Sequence, residues 1–183
     1  PIPENHSRKP ICSYGIIKKT MEDYLYMYNY LYGLDYSVFR LANPYGERQN
    51  PLYAQGLIPV FLKKILLGEE IVIWGDGSVR RDYVYIKDAV VPLIQSLESK
   101  SKYKEFNLGS GVGYSVNELL EKIKRITKKD TKVIYTKSRK LDVPVSVLDI
   151  SLIKKEMNYS LCTDIDTGIE TTYYYLKGIL GKK

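Results

Sequence analysis

Histidine occurs once in these 183 residues, at His6, and cysteine only twice, at Cys12 and Cys162. Ligands so few and so dispersed argue against a zinc site, and two cysteines make no disulfide framework. A reduced, cytoplasmic setting is the simplest reading of that thiol usage. No apolar run approaches the ~18 residues a membrane helix needs, and no signal-peptide pattern is present. Repeats and low-complexity tracts are also missing. No methionine precedes Met21, and the first residue is Pro1, so the chain is expected to be a fragment or a processed product.

Tyrosine, by contrast, is abundant, with 18 residues against three phenylalanines and one tryptophan. The chain is 44% hydrophobic and 27% charged, ordinary for a globular protein of a size that buries one good core. Its net charge is +7, with basic clusters at Lys63-Lys64, Lys122 to Lys132 and Lys182-Lys183. Most of these lysines fall where helices should end, a favourable place for positive charge. No helix-turn-helix, RNA-recognition or metal-finger pattern accompanies them, so nucleic acid is not the expected partner.

The apolar spacing of Tyr14, Ile17, Met21, Leu25, Tyr28 and Leu31 predicts an amphipathic helix over 14–32, with Ser13 as cap and Gly33 just past its end. Tyr24, Tyr26, Tyr28, Tyr30 and Tyr32 read as packing residues, filling a core or a helix–helix interface. A buried strand is expected over 35–42, ending in the turn Asn43-Pro44-Tyr45-Gly46. A loop over 43–55 leads to a helix near 57–68 with Pro59 in its first turn. Strands follow at 70–74 and 82–86, separated by the turn Gly75-Asp76-Gly77. Asp88 should cap a helix reaching Leu97, and 104–108 should be another strand. Ser115 and Glu118 form a capping box for a helix over 116–127. A strand near 132–135, a short helix near 151–157 and a last helix from about Thr167 complete an α/β alternation.

Tyr14 and Lys18 lie four residues apart and so share a helical face, where an ammonium beside a phenol favours the phenolate. Gly109-Ser-Gly111-Val-Gly113 imitates a phosphate loop, but Tyr114 stands where the dinucleotide pattern requires glycine, so it reads as a structural turn.

Pro10-x-x-Ser-Tyr14-Gly-x-x-Lys18 followed by Arg40-x-x-Asn43-x-Tyr45-Gly46 resembles the extended short-chain dehydrogenase/reductase family. Within it, the pattern is similar to nucleotide-sugar epimerases and dehydratases of the UDP-glucose 4-epimerase type. Trp74-Gly75-Asp76-Gly77, Arg81-Asp82-Tyr83-Val84, Asp88-Ala89, Asn107-x-Gly109-Ser110-Gly111 and Arg139-x-x-Asp142 continue the match in the family's order. The resemblance implies an α/β chain that is the C-terminal part of such an enzyme. Residues 1–42 would be the remnant of the NAD-binding Rossmann domain, and 43–183 mainly the nucleotide-sugar domain.

The resemblance further implies NAD as cofactor, with Tyr14 as acid/base, Lys18 as its electrostatic partner and ribose donor, and the Ala42 backbone at the nicotinamide. For the substrate it implies a diphosphate held by Arg81 and Arg139, with Asn43 pointing its amide there. Asp142 would take the ribose hydroxyls, while Gly56, Leu57, Val72 and Trp74 enclose the uracil. Ser146, four places after Asp142, replaces a bulky tyrosine found in members limited to plain hexoses, which leaves room for an N-acetyl group. The implied reaction is 4-epimerisation of a UDP-hexose or UDP-N-acetylhexosamine through a 4-keto sugar, in a homodimer joined through helix 14–32. The rivals are a 4,6-dehydratase or decarboxylase of the same family, and a non-catalytic sugar-nucleotide-binding or dimerisation module. The 183 residues alone are expected to be inactive.

Overall fold

The computed structural model describes residues 1–50, 55–98, 101–138 and 143–180. Helix α1 (Ser13–Tyr32) stops at Gly33, which adopts φ 68° and returns its N–H to the Asn29 carbonyl at 2.9 Å. A residue with a Cβ is disfavoured in that left-handed conformation, so glycine ends the helix here. The start differs by one residue from the expectation: Cys12, not Ser13, precedes the first turn, and no side chain caps it.

The expected strand 35–42 is the shorter β1 (Val38–Leu41), and the stretch read as a turn is a second strand, β2 (Asn43–Tyr45). Strand β1 is half-buried rather than buried, because it pairs on one side with β5 (Glu105–Leu108) and carries the charged Arg40. Helix α2 (Leu57–Leu67) leads to β3 (Ile71–Trp74), whose alternating burial leaves Val72 and Trp74 outward, and β3 pairs in parallel with β7 (Val133–Thr136).

Strand β4 (Arg80–Tyr85) is the hub. It pairs in parallel with β2, antiparallel with β6 (Gly113–Ser115) and in parallel with β8 (Val145–Ser146). Neither short strand β6 nor β8 was expected. Helix α4 (Val116–Thr127) opens with the anticipated capping box: Ser115 accepts from the Glu118 amide, and Glu118 accepts from the Ser115 amide.

Two apolar cores result. The larger lies between helices α2, α4 and α6 (Ile165–Leu180) and strands β3 and β4, with Ile58, Leu62, Leu119, Ile123 and Ile169 fully enclosed. The smaller gathers Phe106 and Leu108 of β5, Ile153 and Met157 of α5 (Ser151–Met157), Val84 and Ala89, with Phe39 and Ala42 against them.

Three further expectations are corrected. Asp88 is not a cap: α3 (Ile86–Gln95) begins two residues earlier, and the buried Asp88 carboxylate accepts from the amide and hydroxyl of Thr163. The last helix begins at Ile165 because Asp164 caps it, accepting from the amides of Asp166 and Thr167. Helix α1 turns its apolar stripe outward: Ile17, Met21, Tyr28 and Leu31 are exposed, as are Tyr24, Tyr26, Tyr30 and Tyr32, and the helix has no buried residue. Its inward, half-buried positions are Gly15, Lys19, Glu22, Leu25 and Asn29, so a carboxylate sits at the centre of the face that docks. These five α1 tyrosines therefore fill no core among the described residues, and of the two expected roles only the interface one remains.

Candidate active site

A cavity of about 370 Å³ opens between α2, β3 and β4, and it contains five of the substrate residues expected from the sequence: Gly56, Leu57, Val72, Trp74 and Arg81. They reach it from separate places in the chain. Gly56 immediately precedes α2 with φ 82°, and a Cβ there would collide with the Gln49 side chain, so the chain can enter the helix this tightly only as glycine. Val72 and Trp74 come from the outward positions of β3, two residues apart as strand pleating requires.

Trp74 is 52% exposed, so it is a wall residue and not core. It also borders a second cavity of about 530 Å³, lined by Asp76, Ser78, Arg80, Ser138 and Val145 among others. Tyr83, Val79 and Val116 join the first cavity without having been anticipated. The signal for Tyr83 was available, since it lies two places after Arg81 in β4 and so shares its face.

Strand alternation also decides between the two adjacent arginines. Arg81 borders the first cavity and donates to the Val143 carbonyl at 2.6 Å. Arg80 is held elsewhere, by the Gly113 carbonyl at 2.6 Å and the Glu118 carboxylate at 3.1 Å. Ser146 is the β8 register partner of Arg81. The next residue of β4, Asp82, is 1% exposed, and its carboxylate accepts from the amides of Ser110, Gly111 and Leu148 and from the Ser110 hydroxyl. The glycine turn at 109–111 therefore gives its amides to a carboxylate of the same chain, which leaves no cradle for a phosphate.

Tyr14 and Lys18 stand near the start of α1, with the Lys18 ammonium 5.5 Å from the centre of the Tyr14 ring. Tyr14 is 70% exposed. Ala42 donates its amide to the Leu108 carbonyl, extending the β1–β5 pairing by one residue. Asn43 directs its amide nitrogen to the Asp82 carbonyl at 2.8 Å, a tie between β2 and β4. That bond uses one of the two N–H donors of the amide and leaves the other for a ligand. Arg139 and Asp142 lie outside the described residues.

An accessible ammonium and phenol on one helix face suit the ribose hydroxyls at the nicotinamide end of a dinucleotide. Among the described residues the fit is at that end, since the amides of the glycine-rich turn at 109–111 are taken by Asp82.

A Tyr-x-x-x-Lys helix beside a parallel strand pair, with a separate arginine-rimmed cavity on the α2–β3–β4 side, is the arrangement of an extended short-chain dehydrogenase. The chain belongs to the NAD dependent epimerase/dehydratase family, whose model matches residues 2–109. NAD is accordingly the cofactor of its family. It is 36% identical over 169 residues to the UDP-glucuronate 4-epimerase of Thermodesulfobacterium geofontis, covering 92% of this chain and 51% of that protein. Among solved structures, it superposes on the UDP-glucose 4-epimerase of Thermotoga maritima, crystallised with UDP-glucose, with a TM-score of 0.94 at 38% identity. That match covers 98% of this chain and 58% of the other. The UDP-N-acetylglucosamine 4-epimerase of Methanobrevibacter ruminantium, in complex with UDP-N-acetylmuramic acid, gives 0.90 at 31% identity, again over 98% and 58%. The chain thus spans little more than half the length of the relatives it matches, which agrees with the expected C-terminal portion.

Proposed function

We propose that this chain is the substrate-binding part of a nucleotide-sugar 4-epimerase, acting on a UDP-hexose or UDP-N-acetylhexosamine. The observation that carries the reading is the cavity in which Gly56, Leu57, Val72 and Trp74 wall a space rimmed by Arg81. Side chains such as Leu57, Val72 and Trp74 beside a guanidinium suit a pyrimidine linked to a diphosphate, since the guanidinium fork matches phosphate oxygens and keeps its charge. Arg139 and Asp142 would complete the grip on diphosphate and ribose. Residues 1–42 serve the cofactor side in this reading and 43–183 mainly the sugar nucleotide.

Tyr14 takes the proton from the 4-hydroxyl as that carbon is oxidised to the ketone, and returns it when the carbon is reduced on its other face. Lys18 stabilises the phenolate between those events and offers donors to the nicotinamide ribose, with the Ala42 backbone alongside. Bound NAD supplies the hydride chemistry. Because binding concentrates on the nucleotide, the sugar is free to turn over between the two transfers. Ser146, small and half-buried beside Arg81, supports acceptance of the N-acetyl sugar. A cytoplasmic homodimer joined through helix 14–32 belongs to the same reading, supported by the uncovered apolar side of α1.

The test is chromatographic: the intact protein carrying this chain is incubated with UDP-glucose and with UDP-N-acetylglucosamine, and the 4-epimers are resolved. Interconversion is expected, with Tyr14→Phe slowed about 10²- to 10⁴-fold, the usual contribution of a positioned acid/base. Absence of any UDP-hexose interconversion would remove the reading, and rejection of the N-acetyl sugar alone would remove only the part resting on Ser146. The 183 residues by themselves should bind NAD weakly and show no turnover.

A further inference from the structure

Helix α1 presents a problem of orientation. It carries Tyr14 and Lys18, yet none of its residues is fully buried, and Leu25 is the one half-buried aliphatic side chain on its inward face. At the centre of its inward face stands Glu22, whose side chain is 14% exposed. Arg40 of β1 reaches it with a two-pronged grip, Nε to Oε1 at 3.0 Å and Nη2 to Oε2 at 2.8 Å. Arg8 joins the same carboxylate. Arg40 is anchored in turn by the Glu105 carboxylate on β5 and, through Nη1, by the Glu4 carbonyl at 2.6 Å. One guanidinium therefore connects α1, the β1–β5 pair and the segment leading into the helix.

Helical geometry links this anchor to the proposed chemistry. Each step of four residues advances about 40° around the axis, so Tyr14, Lys18 and Glu22 form one shallowly slanting row. A fork-to-carboxylate pair fixes direction as well as distance, which a lysine cannot reproduce. The Glu22 carboxyl is held below its usual range: burial opposes its charge, but the hydrogen bond and charge of Arg40, with help from Arg8, outweigh that.

We propose that the Glu22–Arg40 pair sets the roll of α1 and so aims the Tyr14–Lys18 pair, making both residues positioning residues for proton transfer. This rests on the role assigned to Tyr14 above. It also gives the Arg40 of the Arg40-x-x-Asn43 motif a task that the sequence alone left open.

The test compares Arg40→Lys, Glu22→Gln and Glu22→Asp in the intact protein, assayed with UDP-sugar, and follows amide exchange along α1. Arg40→Lys and Glu22→Gln should lower kcat per folded, NAD-loaded molecule at least about 10-fold, approaching the roughly 100-fold cost of a 1 Å misplacement. KM for the UDP-sugar should move less than about twofold, because the Arg81 cavity is built from other elements. Glu22→Asp should recover part of kcat, since it keeps a carboxylate. Exchange of α1 amides should accelerate while α2 and α4 stay protected. An unchanged kcat in Arg40→Lys, or unchanged exchange in α1, would overturn the inference. A wild-type protein without epimerase activity would sink the functional reading instead, and the clamp would then stand or fall on the exchange data.

Discussion

Arg80 and Arg81 are consecutive residues of β4 with divided tasks. Arg80 ties the strand to the start of α4 through Glu118 and Gly113, while Arg81 borders the cavity walled by Gly56 and Trp74. The division follows from strand pleating alone, which sends neighbours to opposite faces.

Truncating the two arginines should therefore have different consequences. Arg81→Ala is expected to weaken UDP binding about 10- to 100-fold, corresponding to lost charged hydrogen bonds worth about 1.5–3 kcal/mol. Arg80→Ala removes a half-exposed ion pair worth about 0–1 kcal/mol and should leave UDP affinity within twofold. Titration calorimetry with UDP checks both. Equal losses in the two variants would contradict the assignment of Arg81.

Gly168 lies inside α6, where alanine is ordinarily the better helix former by about 1 kcal/mol. Here the helix passes over Tyr45: an added Cβ would collide with its hydroxyl and sit 2.9 Å from the ring carbon that bears it. Gly168→Ala should thus cost about 1–3 kcal/mol of stability by overpacking. Adding Tyr45→Phe should return part of the loss. Urea unfolding of the single and double variants measures this, and a stabilised Gly168→Ala would refute the close approach.

Glu47 controls a pH effect. Burial raises its pKa, but hydrogen bonds from Lys87 and Tyr85 prevail and bring it down to about 2. A carboxyl with a depressed pKa stabilises the fold fully above its unfolded value near 4.5, and the benefit disappears as pH falls towards 2. Glu47→Gln should therefore lower Tm at pH 7, and the difference from the wild type should shrink between about pH 4.5 and 2. Thermal melts across that range test it, and a constant difference would show that Glu47 contributes through packing.

The exposed apolar side of α1 should drive self-association. Ile17 and Tyr24 are 59% and 57% exposed, so replacing both with glutamate should leave the fold intact. The variant is expected to sediment as a monomer at concentrations where the parent forms dimers. A monomeric parent at every concentration would end the homodimer proposal.

Much of the local structure was legible before any coordinates. The Gly33 stop of α1 and the Ser115–Glu118 box at α4 depend on residues within a turn of one another, where stereochemistry and short hydrogen bonds decide. The neighbourhood of Gly56, Leu57, Val72, Trp74 and Arg81 is non-local, and it came through family resemblance and not through periodicity. What escaped was likewise non-local. Strands β6 and β8 are too short to carry a pattern and exist because β4 offers them backbone partners. Asp88 looked like a cap and proved to be a buried acceptor for Thr163, 75 residues away.

The chain's own chemistry determined where helices stop, which residue types line up along a face, and that a phenol and an ammonium would be neighbours on α1. Tertiary structure alone decided which side of α1 faces inward and which face of β4 meets the cavity walled by Gly56 and Leu57. It also took the amides of the 109–111 turn for Asp82. Each of those outcomes depends on a group far away in sequence, and apolar periodicity marks a stripe without saying what will cover it.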